Sequence, residues 1–141
     1  MLADPDFAAM VRAIGVASLG ADEARLWHLT KLYWFTVEFG VIGGGGSGGG
    51  GEESSPVTIP KAFGAGILSS FGEMEHLLSG QGYSVAPFDP FAPQPKMSYK
   101  DGVQKRYMSL ESFEAGRELL LEYCAATTLP GLRASSRPQF P

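Results

Sequence analysis

Apolar residues recur at helical spacing in several stretches of the chain and lose all periodicity between them. Phe7, Met10, Val11 and Ile14 stand at i, i+3, i+4 and i+7, one face of an amphipathic helix. Asp4-Pro5 ahead of them is a start signal, with an acid at the cap and proline at the first helical position. Gly15 is expected to interrupt this helix and Gly20 to end it. Asp22 caps a second helix, with Glu23 favourable in its first turn and Leu26, Leu29 and Tyr33 marking its inward face. Ser70 and Glu73 have capping-box spacing and open a helix to about Ser79; with Glu73 committed to backbone, the Ser69 hydroxyl is left free. Val103–Met108 is predicted to be a short strand, and Ser109 to cap a last helix with Leu110, Phe113, Leu120 and Cys124 inward. Gly80 to Pro95 is rich in glycine and proline and is predicted to be turns. Leu129 to Pro141 has no periodicity and is expected to be a loose tail.

The second helix runs into Leu32-Tyr33-Trp34-Phe35-Thr36-Val37-Glu38-Phe39-Gly40, which is apolar or aromatic at nearly every position and holds one acid. A helix that is hydrophobic all round is a buried one, and glutamate is rarely buried without a partner. The acid also falls in the last turn, where the helix dipole disfavours negative charge. Two readings of Glu38 follow from the residues alone. Either it is a partly exposed residue at a helix end, or it is a buried carboxylate that takes up a proton or meets a cation.

Composition narrows the classes. A chain of 141 residues makes one domain with a modest core. A net charge of −4 gives no basic footprint, so no nucleic acid is expected as a partner. No run is long enough to cross a bilayer and no secretory signal is visible at the N-terminus, so no membrane partner and a cytoplasmic location are expected. The single cysteine, Cys124, rules out an intrachain disulfide framework and is expected to be a buried thiol. Gly43 to Gly51 reads as a flexible linker. It has no phosphate-loop spacing, and Gly64-Ala65-Gly66 lacks the third glycine of a dinucleotide fingerprint. The latter spacing instead suits a close backbone approach. Of the two histidines, His28 reads as a boundary residue. Glu73 to His76 forms one Glu-x-x-His, half of a di-iron motif that needs two copies.

Four ordered motifs carry a resemblance. Tyr33 to Gly40, Ile14-Gly15-Val16-Ala17-Ser18-Leu19-Gly20-Ala21, Lys61-Ala62-Phe63-Gly64-Ala65-Gly66-Ile67-Leu68-Ser69-Ser70-Phe71-Gly72-Glu73 and Glu111-Ser112-Phe113 are similar to segments of the pterin-dependent aromatic amino acid hydroxylases. The resemblance covers roughly Asp4 to Ala126. It implies a mainly α fold with a few short β-strands, part of a hydroxylase catalytic domain. That part spans residues 1–128 and is interrupted by the Gly-rich linker at 43–56, with a Pro-rich tail at 129–141. It implies a hairpin of Val41–Ile42 with Val57–Phe63, the linker at its tip. Two residues depart from the family pattern: Phe63 stands where tyrosine is usual, and the Gly-rich insertion is foreign to it.

The family holds iron with two histidines and one glutamate, a facial triad typical of non-haem oxygenases. By motif match Glu38 is the carboxylate ligand. The two histidines belong to a His-Glu-x-x-Gly-His segment that this sequence does not contain. The resemblance further implies Tyr33 beside the pterin, Trp34, Phe39 and Gly66 at the substrate, and Ser69 at the substrate pocket bonding a ligating histidine. The implied activity is ring hydroxylation of an aromatic amino acid, phenylalanine first, using Fe(II), tetrahydropterin and O₂. Tyrosine or tryptophan is the alternative substrate. Tyr99-Lys100-Asp101 has a weak likeness to a tyrosine-hydroxylase substrate loop, and an exposed turn at Asp101-Gly102 is the preferred reading there. With two of three iron ligands missing, the chain alone is expected to be inactive. It would associate with the His-bearing part of such a domain, or else be a non-catalytic remnant.

The linker yields a first test. Extra length at a hairpin tip costs little closure entropy, so replacing Gly43–Gly51 by a short turn should leave stability within about 1 kcal/mol. Urea denaturation measures this, and a larger loss would show that the segment packs.

Overall fold

The computed structural model describes residues 3–44, 58–100 and 102–127. Most of the linker (45–56) and the tail (129–141) therefore lie outside the described residues. Helix α1 (Pro5–Ser18) starts where its cap predicts, the Asp4 carboxylate accepting from the amides of Asp6 and Phe7 at 2.9 and 3.0 Å. Helix α2 (Glu23–Tyr33) is capped by Asp22, which accepts from the Arg25 amide at 2.8 Å. It continues without a break into a π-helical turn at Trp34–Glu38. Strands β1 (Val41–Ile42) and β2 (Lys61–Ala62) follow, then the short helix α3 (Ala65–Leu68), helix α4 (Phe71–Ser79), strands β3 (Ser84–Pro87) and β4 (Arg106–Leu110), and helix α5 (Phe113–Thr127). The predicted class, mainly helical with a small sheet, is the class observed.

The sheet order is β2-β1-β4-β3. β1 is antiparallel to β2, pairing Val41 with Ala62, while β4 runs parallel to both β1 and β3. Helix α1 packs on α5 and on α2. Their contact is closed by three edge-on aromatic rings: Phe7 to Phe63 at 6.0 Å, Phe7 to Phe113 at 5.4 Å and Phe63 to Phe113 at 5.1 Å. Phe63 takes part as an apolar ring, with no hydroxyl to satisfy. A second apolar cluster of Val41, Ile67, Leu77 and Tyr107 joins the sheet to α3 and α4.

Several elements differ from expectation. Helix α1 runs through Gly15, where a missing side chain weakens a helix by about 1 kcal/mol but does not end it. On α2 the buried residues are Leu29 and Leu32, whereas Leu26 and Tyr33 are exposed. Ser109 and Leu110 belong to β4, and Ser112 caps α5, its Oγ accepting from the Ala115 amide at 3.1 Å. β3 arises in the stretch read as turns, through pairing with a distant strand; its Pro87 is tolerated at a sheet edge. Among the described residues the second hairpin strand is only Lys61–Ala62. Cys124 is half-buried, with its sulfur 3.7 Å from the Ala13 carbonyl oxygen.

Glu73 is the largest correction. Ser70 does cap α4, its Oγ accepting from the Glu73 amide at 3.3 Å. The Glu73 carboxylate is not spent on the cap. It is buried, with Oε1 accepting from the Gln104 amide at 2.7 Å and Oε2 from the Tyr107 hydroxyl at 2.7 Å. The carboxylate thus pins α4 to the start of β4. Burial first, and the Glu73 carboxylate second, push the Tyr107 phenol far above its ordinary value of 10.0.

The folded chain keeps that proton where the unfolded chain releases it. Its stabilising effect is therefore fully present below about pH 10 and is lost as pH rises above that. Tyr107→Phe should cost about 1–3 kcal/mol at neutral pH, because Glu73 loses a donor. It should also flatten part of the alkaline decline; Tyr83, Tyr123 and Cys124, raised by burial too, contribute to what remains. Urea midpoints at neutral pH and at about pH 10.5 check both. An unchanged neutral midpoint would contradict the pin.

Candidate active site

The π-helical turn shapes this region. The Phe39 amide bonds back five residues to the Trp34 carbonyl at 2.9 Å, and the Gly40 amide reaches Thr36 O at 3.0 Å. Inside the turn, the Thr36 hydroxyl donates to the Leu32 carbonyl at 2.7 Å, a bond of the kind that bends helices. Phe35, Thr36 and Val37 are buried and anchor one side. Trp34, Glu38 and Phe39 are half-buried. The wide turn brings the rings of Trp34 and Phe39 to 4.7 Å, tilted by 40°. Such local π-type turns occur often at functional sites.

The chain returning from the linker closes on this turn. The amides of Phe63 and Gly64 donate to the Gly40 carbonyl at 3.2 and 3.0 Å. Gly64 then presses on the Glu38 peptide. A Cβ there would run into the Glu38 carbonyl oxygen and lie 2.6 Å from its carbon and 2.7 Å from the Gly40 nitrogen. Gly66 sits under Phe39, where a Cβ would lie 2.7 Å from the ring and 3.0 Å from the Glu38 carbonyl oxygen. The close approach predicted for Gly64-Ala65-Gly66 is made, and its target is the backbone of Glu38.

Trp34, Glu38, Phe39 and Gly66 are therefore brought together. Ser69 follows at the end of α3, exposed, its Oγ a long 3.5 Å from the Gly66 carbonyl, so its hydroxyl is open to another partner. Tyr33 faces elsewhere, lining an apolar groove of about 340 Å³ between α1 and α2 with Val11, Ile14, Leu26 and Leu29. The Glu38 carboxylate has no hydrogen-bond or ion-pair partner among the described residues, so of its two readings partial exposure is the one observed. Sequence reasoning missed Gln104 here and gave Tyr99 only a weak likeness to a substrate loop. Tyr99 meets the Trp34 ring edge-on at 6.4 Å. Gln104 accepts from the Trp34 indole at 3.3 Å. Neither belongs to a local pattern. Gly102 does take a turn conformation, at φ 81°; Asp101 lies outside the described residues.

The described residues do not by themselves fit an iron centre. They contain no cluster of three or more histidine, cysteine, aspartate or glutamate side chains. Both imidazoles are engaged with backbone, His28 Nε2 at 2.8 Å from Pro90 O and His76 Nε2 at 2.9 Å from Gln104 O. Among the described residues no helix is long and apolar enough to cross a membrane.

Residues 1–130 match the family described as biopterin-dependent aromatic amino acid hydroxylase. The chain is 52% identical over 130 residues to the chloroplastic phenylalanine 4-monooxygenase of Chlamydomonas reinhardtii, covering 92% of this chain and 32% of that protein. It is 38% identical to human tyrosine 3-monooxygenase, covering 92% of this chain and 22% of that one. The fold is similar to the crystal structure of phenylalanine hydroxylase from Chromobacterium violaceum with bound iron(III) and 7,8-dihydrobiopterin. The TM-score is 0.66 at 28% identity, covering 87% of this chain and 41% of that one. The chain thus spans about a third or less of the length of these curated relatives.

The Gly64 contact is testable. Because every atom in the way is backbone, Gly64→Ala should cost about 1–3 kcal/mol, the range for overpacking a well-filled site. The matched change Gly72→Ala, where a Cβ meets nothing within 4 Å, should cost far less. Thermal melts of both variants check the contrast, and equal melting temperatures would contradict the packing described.

Proposed function

The chain belongs to the biopterin-dependent aromatic amino acid hydroxylase family, and from that membership we propose that it is part of an iron(II)- and tetrahydropterin-dependent monooxygenase. Its reaction is ring hydroxylation of an aromatic amino acid, phenylalanine first, with O₂ as co-substrate. The observation that carries this reading is the unpartnered, half-buried Glu38, its peptide held by Gly64 on the same turn as the paired Trp34 and Phe39 rings. A carboxylate completing a facial triad with two imidazoles suits non-haem iron. When bound, the metal and the pterin supply the oxygen chemistry, and the protein supplies orientation and a dry, shaped cavity.

Glu38, Trp34, Phe39, Gly66 and Ser69 each have a part in that cavity. Glu38 offers one anionic donor. Trp34 and Phe39 form an apolar wall for an aromatic side chain, and the missing side chain of Gly66 lets the Phe39 ring settle against the loop. The Ser69 hydroxyl orients an imidazole that ligates the metal. Tyr33 stands outside that wall, in the groove between α1 and α2, and would meet the pterin from there. Phenylalanine ranks ahead of tyrosine and tryptophan because the 52%-identical relative is named a phenylalanine 4-monooxygenase. The chain by itself is inactive and needs a partner segment carrying the histidine pair. A non-catalytic association role is the second reading, and it is favoured by the engagement of both imidazoles with backbone.

Iron content per chain separates the two. The chain alone should bind no stoichiometric iron, whereas a fusion supplying the His-Glu-x-x-Gly-His segment of a relative should bind one. In that fusion Glu38→Ala should abolish iron binding and hydroxylation, and Ser69→Ala should lower metal affinity or activity about 10- to 100-fold. Tight one-to-one iron in the chain alone, or full activity in Glu38→Ala, would overturn the triad reading.

A further inference from the structure

Gln104 is buried, 3% exposed, yet it carries no charge and belongs to no motif. All four of its polar groups are engaged, each with a different residue. Its amide donates to Glu73 Oε1 at 2.7 Å, and its carbonyl oxygen lies 2.9 Å from His76 Nε2. Its side-chain oxygen accepts from the Trp34 indole at 3.3 Å, and its side-chain nitrogen donates to the Ser98 carbonyl at 2.8 Å. The backbone pair therefore ties this residue to α4. The side-chain pair ties the π-helical turn to the segment that carries Tyr99, whose ring stands edge-on to Trp34.

That division separates two jobs. The fold needs the backbone bonds, which any residue but proline retains at position 104. The side-chain amide accepts from Trp34 and donates to Ser98 at once, because it presents a carbonyl oxygen and an NH₂ group at one end, which an apolar side chain of the same length does not. An indole stacked on Phe39 can still slide or tilt in its own plane, and one directional bond to Nε1 removes that freedom.

We propose that Gln104 is a positioning residue. Its side-chain amide fixes the Trp34 ring and the Ser98–Tyr99 segment as one rigid wall of the site. That this wall faces an aromatic amino acid rests on the function proposed above; that Gln104 fixes the ring does not.

The first measurement needs no substitution. The chain has two indole N–H groups, and Trp27 is 56% exposed. The Trp34 indole N–H should exchange with solvent more slowly than that of Trp27 by about tenfold or more, as loss of a net hydrogen bond of typical strength implies. Equal exchange rates would overturn the proposal. In Gln104→Met, which keeps length and burial, the Trp34 protection should be lost with the melting temperature little changed; retained protection would also overturn it. In the iron-binding fusion, the same substitution should raise KM for phenylalanine while kcat stays close to that of the parent, a split that general loosening of the fold does not produce. Lost protection with an unchanged KM would leave Gln104 as the anchor of Trp34 and instead remove Trp34 from the substrate side.

Discussion

No side chain fits at position 64, because the backbone of Glu38 occupies the space a Cβ would need. That exclusion is the constraint on which the rest of the site depends. It lets the chain entering α3 lie flat against the π-helical turn, with the amides of Phe63 and Gly64 both spent on the Gly40 carbonyl. The same approach fixes the Glu38 peptide from outside while Phe35, Thr36 and Val37 fix it from the core. The carboxylate can stand half-exposed and unpartnered at little cost, since water still reaches it. A fully buried and unpaired carboxylate would be far less favourable.

A second layer holds this arrangement to the sheet. The buried Glu73 carboxylate takes donors from two points near β4, and Gln104 continues the chain of bonds from there to Trp34. A buried carboxylate with its hydrogen bonds satisfied specifies one arrangement; with one donor removed it destabilises. The aromatic wall and the acid therefore lean on different supports, Gln104 for Trp34 and Gly64 for Glu38.

Much of the fold was legible locally. Asp4, Asp22 and Ser70 each cap the helix their position announces, and glycine spacing at 64 and 66 announced a close approach. The π-helical turn was not legible. Its extra residue shifts a periodicity, and from Leu32 to Gly40 nearly every residue is apolar, so there was no polar stripe to shift. β3 was hidden because its four residues become a strand only by pairing with β4. Glu73 misled because a local rule assigned it to the cap, whereas its actual partners lie 31 and 34 residues away. At the site, the residues alone left Glu38 with two readings. Its neighbours Trp34, Phe39 and Gly66 were singled out by family resemblance, which touched Tyr99 only weakly, and Gln104 was found by neither route.

The account turns on whether the backbone around Glu38 is held as described, and amide hydrogen exchange reads this most directly. The Phe39, Gly40 and Gly64 amides, bonded to the carbonyls of Trp34, Thr36 and Gly40, should be strongly protected and should open together as one unit. Their exchange should be slow relative to that of the exposed Gly72 amide at the first turn of α4. A Phe39 amide that exchanges at the rate of an unbonded loop residue, or a Gly64 amide that opens independently of it, would contradict the clamp and the placement of the Glu38 carboxylate with it.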